Sequence, residues 1–286
     1  MAGLRDIRQR IRIVRNIQKI TSAMQMVAAA RLKRAQDRVG AARPYAEKMA
    51  EVMSNLSRAT TDISHPLLET RDPQRLAVVV VTADRGLCGS YNTNIIRQAV
   101  QLLRAHAELE AVVLPVGNRG PASFRRLGYT VGATFPLPSR DVLLSDAQAI
   151  TAEVRRLFES GAVDLVYLVY TRFYSALRLQ PTVQQLLPLQ TPQAEGVATA
   201  EEYLFEPEPH RLLANLLPRY LDMQVFQALV ESVASEQGAR MTSMRSASDN
   251  AAEMIDRLTL SFNRARQAAI TKEIAEIVGG ADALKG

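Results

Sequence analysis

Tryptophan is absent from this 286-residue chain, and aromatic residues make up only 5% of it. That scarcity argues against a stacking platform for single-stranded nucleic acid. There is one cysteine, Cys88, so no disulfide can close within the chain, and such usage points to a reducing compartment. The three histidines, His65, His106 and His210, are too widely spaced for a His-based metal cluster. No run approaches the ~18 consecutive apolar residues of a membrane span. The N-terminal Met1–Asp6 stretch has charge where a secretory signal needs an apolar core. No Walker pattern G-x-x-x-x-G-K-[ST] occurs.

The excess of positive charge is confined to one end. The chain carries a net charge of +6, yet residues 1–58 hold thirteen Lys and Arg against four Asp and Glu, and the rest of the chain is slightly acidic. The first segment is therefore an electrostatic footprint for an acidic partner.

Both ends read as long helices. The first segment, residues 1–57, carries apolar residues at Leu4, Ile7, Ile11, Val14, Ile17, Ile20, Met24 and Val27. It continues at Ala28, Leu32, Ala35, Val39, Ala42, Ala46, Met49, Met53 and Leu56 in unbroken four-and-three spacing, a coiled-coil seam. Gly40 and Pro44 fall inside this pattern and predict a kink rather than a stop. The last segment, residues 208–286, has a matching seam at Gln237, Met241, Met244, Ser248, Ala251, Ile255, Leu258, Phe262, Ala265 and Ala269. Its stripe then shifts to Ile270, Ile274, Ile277, Ala281 and Leu284, and Gly279-Gly280 predicts fraying. At helical rise the two segments span roughly 85 Å and 115 Å, too long to be buried in one small domain. If residue 56 faces 208, the helices pair antiparallel, with 24 level with 240 and about 22 residues of the last helix left without a mate, by the same rise-per-residue logic.

Between them, residues 75–206 alternate strand and helix signals. Leu76–Ala83 is an apolar, β-branched run of the kind buried in parallel sheets. Helices are expected at 92–108, 121–127 and 145–160, and strands at 111–116, 129–132 and 164–171. A β-rich stretch covers 177–190 and a surface loop 191–202. The fold class is thus a long antiparallel coiled coil with an inserted Rossmann-like α/β domain.

Candidate chemistry is sparse. Asp84-Arg-Gly-Leu-Cys-Gly89 follows the first strand, where a phosphate loop would stand, but lacks the G-x-G-x-x-G pattern. Its glycines read as a tight turn. Cys88 has no neighbouring histidine and reads as a small buried residue rather than a nucleophile. Gly117-Asn-Arg-Gly120 reads as a second turn. No catalytic, cofactor-binding or metal-binding residue emerges.

The stretches Gln18–Arg31, Asp84–Gly89, Ser235–Met244, Ser248–Asn250 and Asn263–Ala281 resemble the γ subunit of the F-type ATP synthase, and the likeness covers effectively the whole chain. The resemblance implies a non-catalytic rotor shaft without cofactor. It would stand inside an α3β3 hexamer, with its α/β foot beside the ε subunit on the membrane c-ring. By that likeness, Met24, Arg31, Lys33, Arg34 and Arg240 face acidic lever loops of β. Arg266, Gln267 and Thr271 meet the catch loops of the hexamer, and Ile277 and Leu284 sit in its apolar bearing. Tyr203, Phe205 and Glu206 belong to the foot. Ser90-Tyr91 depart from the family's usual Gly-Phe, and no inserted cysteine pair of the chloroplast form is present, so the likeness is to bacterial members on the cytoplasmic face of the plasma membrane. Two other readings compete. A basic coiled coil that binds nucleic acid predicts salt-dependent DNA binding. A nucleotide-dependent enzyme centred on 84–89 predicts saturable nucleotide binding.

Overall fold

The computed structural model describes residues 4–59, 65–138, 141–190 and 209–283. Tyr203, Phe205, Glu206, Leu284 and the loop expected at 191–202 lie outside these described residues. Helix α1 is Leu4–Ala59 and helix α5 is Pro209–Ala283. Between them come β1 (Arg75–Val81), α2 (Tyr91–Ala105), β2 (Glu110–Val116) and α3 (Gly120–Arg126). Then follow β3 (Thr130–Val131), α4 (Leu144–Glu159), β4 (Leu165–Phe173) and β5 (Leu179–Leu187). The chain divides into two units, residues 1–27 with 241–286, and residues 28–240.

The larger unit holds a five-stranded sheet in the order β3-β2-β1-β4-β5. β1 pairs parallel with β2 and β4, as the β-α-β alternation requires, and β5 returns antiparallel to β4 through a tight hairpin. The sheet is therefore mixed, with an antiparallel edge strand where sequence pointed only to β-rich character. From Leu76 to Val81 every residue of β1 is fully buried, because a central parallel strand is covered on both faces. Leu76, Val78 and Val80 pack with Ile95, Ala99 and Leu103 of α2 and with Phe124 of α3. The alternate residues Ala77, Val79 and Val81 face the other way and are equally buried. The stripe Ala147, Ile150, Val154 and Phe158 orients α4, whose Asp146 carboxylate accepts from the Leu143 N–H at 2.8 Å and caps its first turn.

Within this unit the α1 seam is as the spacing predicts. Ala28, Leu32, Ala35, Val39, Met49, Met53 and Leu56 are buried, and Ala42 and Ala46 are half-buried. The helix runs through Gly40 and Pro44 without a break.

In the smaller unit the seam of α1 differs from the expected apolar line. Ile7 is buried and Ile11 and Val14 are half-buried, but the line then passes through half-buried Gln18 and buried Thr21. Ile17, Ile20 and Val27 are 47%, 59% and 53% exposed. Four-and-three spacing from Val14 carries through Gln18 and Thr21, and Thr21 can occupy the seam because its hydroxyl lies within hydrogen-bond reach of the carbonyls of Ile17 and Gln18, at 3.1 and 3.0 Å. On α5, Met244 and Ala251 are buried, and Ile255, Leu258, Phe262 and Ala265 are half-buried.

The Arg8 guanidinium lies 5.4 Å from the Phe262 ring centre. Every residue from Arg266 to Gly279 is exposed, including Ala269 of the expected seam. The helix continues through Gly279-Gly280 to Ala283 rather than fraying there.

Candidate functional site

In doubly wound folds a ligand crevice opens beyond the C-terminal ends of the strands, where the strand order changes direction. Here that point lies between β1 and β4. It is filled by the chain's own α5. From Ala228 to Gln237 every residue of α5 is at least nine-tenths buried, on all sides of the helix. A helix buried all round needs its polar groups answered inside the protein. Ser235 donates to the Thr171 carbonyl at 3.1 Å, and the Thr171 N–H donates to Ser232 Oγ at 3.5 Å. Glu231 accepts from the Phe173 N–H at 3.2 Å and from Gln227 at 3.0 Å. The end of β4 thus grips α5 through three polar side chains, Glu231, Ser232 and Ser235.

The loops after β1 and β2 close on one another in the same region. Asp84 accepts from the Asn118 N–H at 3.0 Å, and the Arg119 N–H donates to the Ala83 carbonyl at 3.1 Å. Thr82 donates to the Val116 carbonyl at 2.9 Å. Gly117 has φ +89, and a Cβ there would stand 2.1 Å from the Thr82 carbonyl oxygen. The glycine turn read from sequence is therefore enforced by close backbone approach. A carboxylate, Asp84, occupies the place where a phosphate would need donors, which opposes nucleotide binding at this loop.

At the end of the gripped segment, Glu236 and Arg240 form an ion pair at 2.7 Å, and Arg240 donates to the Gly86 carbonyl at 3.2 Å. Burial raises the Glu236 carboxyl above its ordinary range even though Arg240 opposes the shift. Cys88 is buried under Ala239 and accepts from Asn92 at 3.3 Å. Burial pushes its thiol up, so it is a packed residue and not a nucleophile. Tyr91 behind it is likewise raised by burial, and its hydroxyl donates to the Val81 carbonyl at 3.5 Å.

The residues singled out from sequence are distributed over both units. Met24, Arg266, Gln267, Thr271 and Ile277 belong to the smaller unit, where Met24 is half-buried and the other four are exposed. Arg31, Lys33 and Arg34 are exposed on α1 in the larger unit, with Lys33 paired to Asp37 at 2.9 Å. Arg240, in contrast, is only 12% exposed in its side chain and already committed to Glu236 and Gly86. Sequence reasoning missed the buried polar run Glu231, Ser232, Ser235 and Glu236, because polar residues inside an apolar periodicity carry no helical-face signal. Among the described residues no group of three or more His, Cys, Asp or Glu could hold a metal, and no helix is long and apolar enough to cross a membrane.

A family model described as ATP synthase matches residues 3–284. The chain is 50% identical to the ATP synthase gamma chain of Heliobacterium modesticaldum, over 99% of this chain and all of that one. It is 45% identical to the ATP synthase gamma chain of Pelotomaculum thermopropionicum over the full length of both. Among solved structures, it is similar to a chain of the central stalk and c-ring of the Tetrahymena thermophila mitochondrial ATP synthase. That match has a TM-score of 0.61 and 28% identity, over 80% of this chain and 99% of that one. A chain of the Euglena gracilis mitochondrial ATP synthase, in its OSCP/F1/c-ring structure, gives a TM-score of 0.71 at 18% identity, over 98% and 94% of the two chains, a likeness of fold alone.

Proposed function

Because the chain belongs to the ATP synthase γ-chain family, we infer that it works as the central rotor shaft of the F1 sector. It is a non-catalytic subunit that couples rotation of a membrane ring to conformational change at catalytic sites carried by other subunits. The observation that carries this reading is the bare end of α5. Ile270, Ile274, Ile277 and Val278 are 48–65% exposed on a helix that has outrun its mate. An apolar run of that kind marks a surface made to be covered by other subunits.

The gripped segment of α5 supports the mechanical part. Torque applied to the α/β unit reaches α5 through backbone-directed bonds at Thr171 and Phe173 and through the Arg240 link to Gly86. Filling the ligand crevice with a helix exchanges catalysis for a rigid joint.

The partner assignments follow from this role. The apolar end enters an α3β3 hexamer, with Arg266, Gln267 and Thr271 at its catch loops and Ile277 and Leu284 in its bearing. Met24 and the cations Arg31, Lys33 and Arg34 face acidic lever loops of β, and Arg240 acts there by holding the 84–89 loop in place. Residues 1–57 and 208–286 form the shaft and residues 75–206 the foot, in which Tyr203, Phe205 and Glu206 meet ε and the c-ring. The chain is a peripheral component on the cytoplasmic face of the bacterial plasma membrane. The nucleic-acid reading has no support from the relatives.

The test is charge reversal in the assembled enzyme. Arg34→Glu, at an exposed position on α1, should lower coupled ATP synthesis in membrane vesicles while the complex still assembles. Unchanged synthesis and hydrolysis would remove Arg34 from the coupling surface, and failure of the wild-type chain to co-purify with a hexamer of α and β subunits would remove the rotor reading altogether.

A further inference from the structure

Two connections join the long helices to the sheet, one from α1 to β1 and the other from β5 to α5. The first contains a single turn of 3-10 helix, Pro66–Leu68, which lies against α4 and whose Leu67 is fully buried. The second passes through buried Leu189, and the Leu189 N–H donates to the Leu67 carbonyl at 2.8 Å. The turn therefore ties the two connections to one another.

His65 caps this turn. Its backbone is extended, and Pro66 has no N–H, so the first donor of the turn is the Leu67 N–H, which donates to His65 Nδ1 at 3.1 Å. A backbone N–H is always a donor, so Nδ1 must carry a lone pair and the proton of the neutral ring is on Nε2. Caps are ordinarily Ser, Thr, Asp or Asn, which keep an acceptor at any pH near neutral. An imidazole loses its acceptor on protonation, when both ring nitrogens become donors. The buried Leu67 N–H then faces a second N–H and has no acceptor there. We propose that His65 is a pH-sensitive clip: its neutral ring holds the turn that ties together the two connections, and a proton on Nδ1 releases it.

The charged groups facing the ring are Arg155 and Glu159 of α4, which pair with each other at 3.3 Å. In the segment after the turn Glu69 and Arg71 are likewise paired, at 2.6 Å. Burial holds the imidazole below its ordinary value; Glu159 opposes that shift and Arg155 adds to it. The clip is therefore closed above the unfolded value near 6.5 and opens as pH falls through the lower, folded one. The inference goes beyond the rotor role, and its test needs no partner subunit.

The test is amide hydrogen exchange of the full-length chain at pH 8 and pH 5, corrected for intrinsic exchange rates. Loss of one cap predicts that protection of the Leu67 and Leu189 amides falls at least about fivefold at pH 5, while that of Val79 in β1 does not fall. His65→Asn keeps an acceptor that does not titrate, so the fall should vanish. His65→Leu has no acceptor, so protection should be low at both pH values. Undiminished protection of the wild type at pH 5, the same fall in His65→Asn, or a fall shared equally by Val79 would each overturn the clip. Should His65→Leu fail to fold, the comparison of wild type with His65→Asn decides alone. Nitrogen chemical shifts of the His65 ring give a second reading: a bare Nδ1 at pH 8 supports the clip, and a proton on Nδ1 at that pH refutes it.

Discussion

Glu236 and Arg240 stand 2.7 Å apart on successive turns of α5, with side chains only 10% and 12% exposed, and Arg240 extends to the carbonyl of Gly86. The hydrogen bond from Arg240, held in place by the ion pair, thus ties the helix to the loop that follows β1. Burial raises the Glu236 carboxyl above the unfolded value near 4.5. Its contribution to stability is therefore full below that value and is lost as pH rises through the folded one. Arg240→Ala removes the charge that opposes this loss. The full-length chain should lose about 3–5 kcal/mol in urea unfolding at pH 8, less at pH 5, and an Arg240→Met/Glu236→Met pair should cost less than the single change.

Gly117 and Gly128 offer a matched test of close approach against backbone conformation alone. Both have positive φ, +89 and +84, but a Cβ at 117 meets the Thr82 carbonyl at 2.1 Å while one at 128 meets nothing within 4 Å. Gly128→Ala carries only the conformational cost of about 1 kcal/mol. Gly117→Ala must also move β1 away from the loop after β2, so it should cost at least about 3 kcal/mol. Thermal unfolding of the two variants measures the difference, and equal losses would show that the approach to Thr82 is not what fixes the turn.

The helices and strands were legible because their apolar spacing is regular. Ala28 through Leu56 follows four-and-three steps, and seven of those nine positions are buried. Two features were not. In the smaller unit the buried line passes through Gln18 and Thr21, and hydrophobicity pointed instead to Ile17 and Ile20, which face outward. The strongest apolar signal there belongs to exposed residues, and an apolar-period argument has no means of separating an exposed apolar line from a buried one. The second was the gripped stretch of α5, where Glu231, Ser232, Ser235 and Glu236 are buried by hydrogen bonding to β4 and to Arg240. Such burial depends on a sheet edge distant in sequence. The charge excess of the first segment pointed to an acidic partner, but the individual roles proposed for the exposed cations at 31, 33 and 34 came only from the family resemblance.

Asp164 closes the start of β1. Its carboxylate accepts from the N–H groups of Gln74 and Arg75 at 3.1 and 2.9 Å and pairs with the Arg75 guanidinium at 3.3 Å. Burial by itself would raise this carboxyl, but those donors outweigh it and hold it below the ordinary range. The stability it contributes is then present above the unfolded value near 3.8 and lost as pH falls through the folded one. Asp164→Asn should cost about 1–3 kcal/mol at pH 7. The gap to wild type should narrow below pH 4, as followed by urea denaturation. A gap independent of pH would mean that the charge contributes nothing and that the hydrogen-bond geometry alone matters.

The exposed apolar residues at the end of α5 separate folding from assembly. Ile274 and Ile277 are 56% and 65% exposed, so neither supports the packing of the isolated chain. Ile274→Glu/Ile277→Glu should leave its unfolding free energy within about 0.5 kcal/mol of wild type, as expected for surface positions. In a hexamer the same two carboxylates would be forced into an apolar collar without partners, at a cost of several kcal/mol. Reconstitution with α and β subunits should therefore fail or yield a complex that hydrolyses ATP without driving rotation, while circular dichroism of the variant stays unchanged. Normal assembly and coupling in the double variant would mean that this end of the helix remains in water in the working enzyme, and the rotor reading would lose the observation on which it rests.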